Sequence, residues 1–210
     1  CVKLHHIRVV IALALAVFLL AGGMAWAAEE KADKLDVAPL KANKILGIPW
    51  GASEDAAASI LSQRPNTRCQ AFVKNAVGKT KGCYSTFNDE GVYVQTAFYQ
   101  GKMYYVWVFA FVGEEQVLDK FNSYKKGLSE RYGALLSEKG KYLDSTAYWD
   151  LGEGYRAQLA IRKNPLKPYP LWPESQNLFT LPFTVTVLYY HAETLDIVNK
   201  ALGANSSKDF

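Results

Sequence analysis

Two apolar segments separated by the dipeptide Gln100-Gly101 constrain the fold of this chain more than any other feature. Val92–Phe98 alternates in β fashion, Lys102–Val112 is apolar along its length, and a tight turn between two such runs is typical of a β-hairpin. In the second run, one face carries Met103, Tyr105, Trp107, Phe109 and Phe111, and the other carries Tyr104, Val106, Val108, Ala110 and Val112. Because both faces are apolar, we expect this strand to lie inside a sheet rather than at its edge.

Three helices are predicted around the hairpin. The start of the first is clearest, because Ser53 can cap the backbone and two acidic residues follow it. Apolar residues spaced three and four apart indicate the second helix, which Gly133 is suited to end. The predicted helices cover 53–63, 113–133 and the segment from near Ala192 to Gly203.

The remaining apolar runs predict strands joined by short turns. They are Cys83–Phe87, Ala134–Ser137, Thr146–Leu151, Gly154–Arg162 and Phe179–Tyr190, whereas 66–81 looks irregular apart from a short strand near Cys69–Val73. The fold class that follows is α+β, an antiparallel β-meander sheet with the helices packed on one face. The repeated order of helix and strands also allows two helix-plus-meander pseudo-repeats.

The first 27 residues have the pattern of a secretory signal peptide: a basic start, an apolar middle and the ending Ala25-Trp26-Ala27. The alternative is a retained anchor, because residues 9–28 are uncharged over a length that can span a bilayer. With cleavage, we expect a periplasmic or secreted protein without a stable membrane span. The expected domains are the signal peptide 1–27, a flexible lead-in 28–43, one α+β domain 44–204 divisible into halves 44–112 and 113–204, and a polar tail 205–210.

Charge and cysteine usage narrow the function further. The whole chain carries a net charge of +4, and the predicted signal peptide removes Lys3 and Arg8. A charge so close to neutral does not predict binding to nucleic acid.

After removal of the signal peptide, Cys69 and Cys83 remain as an even pair. In an exported protein we expect them to form a disulfide that stabilises the fold by roughly 3 kcal/mol. Free thiols or a redox couple are the alternative.

Catalytic and cofactor motifs are absent from the sequence. His191 is the only histidine after residue 27, so neither a histidine metal site nor a zinc spacing can be assembled. The chain contains no G-x-S-x-G and no glycine-rich nucleotide loop. We therefore expect no metal, no cofactor and no enzyme activity. The alternative is a cell-envelope hydrolase with paired carboxylates drawn from Asp89, Asp144, Asp150 and Glu153.

A surplus of aromatic residues without a catalytic set points to a binding or envelope-assembly module. Tyr and Trp combine a large apolar area with a polar group and are favoured at interfaces. The candidate surface consists of Tyr93, Tyr99, Tyr105 and Trp107 on the strands and Tyr169 and Trp172 in a proline-rich loop. The expected partner is an envelope protein, a peptide or a glycan. Aromatic residues that merely fill the core, and a carrier of small apolar ligands, are the alternatives.

The segment Gly47-Ile48-Pro49-Trp50-Gly51-Ala52-Ser53, followed by an acidic helix start, resembles the opening of a group of uncharacterised exported bacterial proteins. Arg131-Tyr132-Gly133 after the aromatic hairpin is similar to the same group. The order of elements also resembles the helix-plus-meander units of the BamE/SmpA outer-membrane assembly lipoproteins and of the β-lactamase inhibitor proteins. The second resemblance implies a shared architecture, and the chain shows no lipobox.

Overall fold

The computed structural model describes residues 41–74, 77–87, 90–164 and 180–206. The predicted signal peptide, almost all of the lead-in and the end of the tail lie outside these ranges. Their main element is an open, antiparallel nine-stranded sheet, accompanied by three helices and a small two-stranded sheet. The predicted α+β class is therefore confirmed.

The elements follow the chain in two rounds. The helices are α1 (Glu54–Ser62), α2 (Val117–Tyr132) and α3 (Ala192–Ser206). The strands are β1 (Lys44–Ile45), β2 (Ile48–Pro49), β3 (Arg68–Cys69), β4 (Val73–Lys74), β5 (Gly78–Phe87), β6 (Glu90–Tyr99), β7 (Lys102–Val112), β8 (Ser137–Lys139), β9 (Thr146–Gly152), β10 (Tyr155–Lys163) and β11 (Phe183–His191). Short 3₁₀ turns cover Glu114–Gln116 and Tyr142–Asp144.

The strand order shows how the two rounds join. It reads β3-β5-β6-β7-β11-β10-β9-β8, with β4 also paired to β5. The strands after α1 thus form one meander and those after α2 form another. The two meanders meet through their last strands, β7 and β11, which pair antiparallel with Val108 opposite Val187.

The sheet has two faces, which we name by their residues. The inner face carries Val94, Val108 and Val187, and α1 and α2 both pack against it in one continuous core. The outer face carries Tyr93 and Trp107. The core on the inner face contains large side chains without solvent exposure, among them Trp149 and Leu61. Burial of this apolar area is the main source of stability.

Helix α3 does not share the inner face. Its residues Leu195 and Val198 pack with Ala97, Tyr104 and Tyr105 on the outer side of the sheet. The prediction that all helices lie on one face therefore holds for α1 and α2 and is wrong for α3. The reason is chain direction, because α3 begins directly where β11 ends.

A β-bulge changes which side chains share a face. The register between β6 and β7 shifts after Ala97, which pairs with Tyr105, whereas Phe98 pairs with Met103. Met103 consequently joins the inner core and Tyr104 joins the cluster under α3. Simple alternation placed these two residues on the wrong faces, since a bulge inserts one residue and reverses the pattern beyond it.

Strand β5 extends over ten residues, although 78–81 looked irregular from the sequence. Its glycines are explained by their neighbours. A Cβ on Gly78 would lie 2.0 Å from the carbonyl oxygen of Phe98, and one on Gly82 would lie 1.9 Å from the Tyr93 hydroxyl. These glycines permit close packing within the sheet rather than a loop.

The predicted pairing of Cys69 with Cys83 is confirmed by the distance between their sulfur atoms. The two residues are register partners on β3 and β5, and their sulfur atoms lie 2.10 Å apart. The bond fastens the outermost short strand to the sheet. Other element bounds differ by a few residues: β8 begins at Ser137, β11 begins at Phe183, and α3 continues beyond Gly203.

Candidate functional site

The seam between the two meanders forms a groove on the inner face. Its floor crosses four neighbouring strands and consists of Phe87, Val92, Val108, Val187 and Tyr189. Helix α1 contacts β7 on one side, whereas α2 contacts β9, β10 and β11 on the other. The sheet between the two helices is thereby left as an apolar floor.

The walls of this groove come from α2 and from the turn between β1 and β2. Leu46 supplies the turn side, and one stripe of α2 supplies Ser123, Tyr124, Gly127, Leu128 and Arg131. The groove has a volume of about 390 Å³. This size falls within the range of sites for small ligands, which are mostly apolar with a few polar groups.

Gly127 has no structural explanation within the chain. It lies inside α2, it is exposed, and it does not adopt a positive φ. A Cβ at this position would meet no atom within 4 Å, so no neighbour requires glycine. Glycine in a helix interior costs about 1 kcal/mol relative to alanine. The residue leaves the wall of the groove open at the middle of α2.

A polar triad stands at one side of the groove. Lys120 forms an ion pair with Glu90, and its ammonium lies 5.4 Å from the centre of the Tyr124 ring. Burial, together with the nearby Glu90 carboxylate, raises the pKa of Tyr124 to about 12. The tyrosine hydroxyl is therefore neutral at physiological pH and donates to Glu90.

Tyr189 on the floor is also held neutral. Burial, followed by its interaction with Tyr132, raises the pKa of the Tyr189 hydroxyl well above its ordinary value, while the positive charge of Arg131 partly opposes this. Tyr132 and Tyr189 pack edge to face with ring centres 6.3 Å apart. The floor consequently carries no negative charge.

Two guanidinium groups border the groove. Arg131 lies on the rim, is exposed, and sits 5.4 Å from the centre of the Tyr132 ring. Arg64 lies behind the opposite wall, where it donates to the Leu46 carbonyl at 2.7 Å and stacks 4.6 Å over Phe87. Burial lowers the pKa of Arg64, and its Nε atom has no hydrogen-bond partner among the described residues.

A smaller pocket of about 280 Å³ lies at the other end of the sheet, and it contains one of the predicted site residues, Tyr99. Tyr155 and His191 also line it, with ring centres 4.8 Å apart. The Thr194 backbone N–H donates to Nδ1 of His191 at 3.3 Å, so this histidine caps the first turn of α3. Its place at the junction of a strand and a helix agrees with the sequence.

Three of the other predicted surface residues come together on the outer face. Tyr105, Trp107 and Phe109 form a row of rings along β7, with Tyr93 beside Phe109 at 5.7 Å. Tyr93 is 9% exposed, and Tyr105 and Trp107 are half-buried. The indole nitrogen of Trp107 has no hydrogen-bond partner within the described part of the chain. Tyr169 and Trp172 lie outside the described residues.

Two of the candidate catalytic carboxylates, those of Asp144 and Asp150, lie at opposite ends of one strand. Asp144 ends the 3₁₀ turn before β9 and Asp150 lies near the end of the strand, and the extended segment from Thr146 to Asp150 alone spans about 13 Å. Asp150 accepts a hydrogen bond from the Gly152 backbone at 3.1 Å, and Glu153 occupies the adjoining turn. None of these three is among the described residues that line the groove or the smaller pocket beside Tyr99. Asp89 falls outside the described ranges.

The described residues contain neither a metal-binding cluster nor a membrane-spanning helix. Across 41–74, 77–87, 90–164 and 180–206, no three metal-binding side chains cluster. No helix there combines the length and apolar character needed to cross a membrane. Tyr124 and Leu128 belong to the apolar stripe that predicts α2, whereas Gly127 and Arg131 were not predicted as site residues. The one signal in the sequence was a glycine within an otherwise regular helical pattern.

Comparison of the chain with protein-family models, curated proteins and solved structures gave no match. The resemblance to exported bacterial proteins and to helix-plus-meander envelope proteins therefore stays a prediction.

Proposed function

We propose that this chain is a non-catalytic binding protein of the periplasm or the extracellular space, and that the groove holds a small molecule with an elongated apolar body. The observation that carries the proposal is Gly127, a helix-interior glycine with nothing around it, on the wall of an apolar groove. A chain under selection for stability alone would gain from alanine here. Space kept for a ligand explains the glycine.

The floor of the groove supports an apolar ligand body. Val108 is half-buried, although it lies at the centre of the sheet between two core strands. Phe87 and Tyr189 on the floor are half-buried as well, and a ligand that covers these three side chains removes apolar surface from water, which contributes about 25 cal/mol per Å². The rigid sheet beneath the groove means that little of this free energy is lost in ordering the site.

The disulfide supports the proposed location. Cys69 and Cys83 are the only cysteines after residue 27, and they lie at bonding distance. Disulfides persist in oxidising compartments and are rare in the cytosol. A signal peptide over residues 1–27 and an oxidised pair are consistent with each other.

The separation of the carboxylates supports a role without catalysis. Glycoside hydrolysis needs two carboxyl groups roughly 5–9.5 Å apart across a cleft. Asp144 and Asp150 lie at opposite ends of β9, and the described lining of the groove contains no carboxylate. The lining side chains suit binding, because they offer apolar surface and neutral hydroxyls.

The direct test fills the groove without touching its floor. We would measure the binding of decanol by calorimetry to the native protein, to Gly127→Trp and to Asn122→Trp. Asn122 is an exposed residue of α2 that does not line the groove, so it controls for a bulky indole on the helix. The proposal expects binding to be lost only in Gly127→Trp, with both variants keeping the native circular dichroism. Equal binding by all three proteins, or no binding by the native protein, would overturn it.

A further inference from the structure

The groove carries one feature that its apolar floor does not explain, namely the charge at its rim. Among the described residues that line it, Arg131 is the only one with a formal charge. The other three basic residues of α2 each have an acidic partner: Lys120 pairs with Glu90, Lys125 with Glu138 and Lys126 with Glu130. Arg131 makes no ion pair within the described part of the chain and remains accessible.

A second guanidinium adds to the positive potential. Arg64 lies against Phe87 and Leu46, both of which line the groove, and no carboxylate of the described residues pairs with it. Glu90, which lies beside the lining residue Tyr124, is already engaged by Lys120 and Tyr124. An anion entering the groove therefore meets the positive charge of Arg131, which no carboxylate of the described residues neutralises.

We infer that the ligand of the groove is a single-chain amphiphile with an anionic head, whose apolar chain lies on the valine floor and whose head pairs with Arg131. This inference rests on the proposed function and specifies its ligand class. The planar guanidinium matches a carboxylate with two parallel hydrogen bonds. The exposed position of Arg131 lets the head keep part of its hydration while the chain is buried.

The geometry also sets an upper bound on the ligand. A groove of about 390 Å³ accommodates one short acyl chain and not a two-chain lipid. The ligand is therefore a free amphiphile rather than a membrane surface. A vesicle assay distinguishes a free amphiphile from the same head group and chain presented by a membrane.

The experiment compares decanoate with decanol, which has the same chain without the negative charge. Calorimetry at neutral pH is performed on the native protein, on Arg131→Gln and on Lys126→Gln. Lys126→Gln removes the same charge from the same helix at an exposed position that does not line the groove. We expect the native protein and Lys126→Gln to bind decanoate about tenfold more tightly than decanol, and Arg131→Gln to bind the two equally.

The possible outcomes separate this inference from the proposed function. Equal affinity of the native protein for both ligands would overturn the anionic head and leave the apolar groove intact. Binding of neither ligand would remove the proposed function itself. Sedimentation with vesicles of phosphatidylglycerol, without binding of free decanoate, would replace the free amphiphile by a membrane surface and overturn the inference.

Discussion

Val108 and Val187 face each other across the junction of the two meanders, and both lie on the floor of the groove. The groove lies between the two helices on the inner face, because α1 contacts β7 and α2 contacts β9, β10 and β11. The site is therefore a consequence of the topology. Two helix-plus-meander rounds that join through their last strands leave a gap between their helices.

Replacing Gly127 by alanine should stabilise the protein. The backbone is helical and a methyl group meets nothing, so the free energy of unfolding should rise by about 1 kcal/mol. Gly133 is the matched control, since a methyl there also meets nothing but the residue has a φ of +87°. Gly133→Ala should destabilise the protein. Urea denaturation measures both, and a loss of stability in Gly127→Ala would mean that the glycine has a structural role.

Replacing both Cys69 and Cys83 by alanine should lower the free energy of unfolding by about 3 kcal/mol, as expected for a loop of this length. Reductant should reproduce much of this loss in the native protein and should have no effect on the double variant. Chemical denaturation with and without dithiothreitol gives the comparison. A native protein that is insensitive to reductant would argue against the bond.

Gly78→Ala should destabilise the sheet by roughly 1–3 kcal/mol, the usual cost of overpacking. The added methyl would lie 2.0 Å from the Phe98 carbonyl oxygen, and a backbone atom cannot move aside without disturbing the pairing of β5 with β6. Gly113, where a methyl group meets nothing and φ is negative, is the control. Thermal melts of the two variants should differ, with a clear decrease only for Gly78→Ala.

The stability of the protein should fall as the pH rises from 10 to 12. The pKa of Tyr124 is raised from 10.0 to about 12 in the folded protein, so in this window the unfolded chain loses the proton while the folded chain keeps it. Its contribution is complete below pH 10 and disappears as the pH passes 12. Denaturation at several alkaline pH values should show a shallower loss for Tyr124→Phe. An unchanged slope would mean that Tyr124 titrates normally.

Local patterns in the sequence were sufficient for much of the fold. The hairpin formed by β6 and β7, the cap at Ser53 and the end of α2 at Gly133 are confirmed. Each depends on residues close together in the chain, where turn chemistry and periodicity decide the structure. The disulfide was also accessible, because the number and spacing of the cysteines left few choices.

The groove could not be predicted in the same way. It depends on the pairing of β7 with β11, two strands far apart in sequence, and on which part of the sheet the helices leave uncovered. The β-bulge after Ala97 and the close approach of Phe98 to Gly78 are likewise properties of strand pairing. Gly127 and Arg131 can be recognised as groove residues only once that arrangement is known.

The most direct test of the account is an NMR measurement on the native protein with decanoate bound. We predict intermolecular nuclear Overhauser effects between the methylene groups of the ligand and the methyl groups of Val108 and Val187, the pair on the groove floor. Overhauser effects to the rings of Tyr93 and Trp107 on the outer face, with none to the two valines, would contradict it.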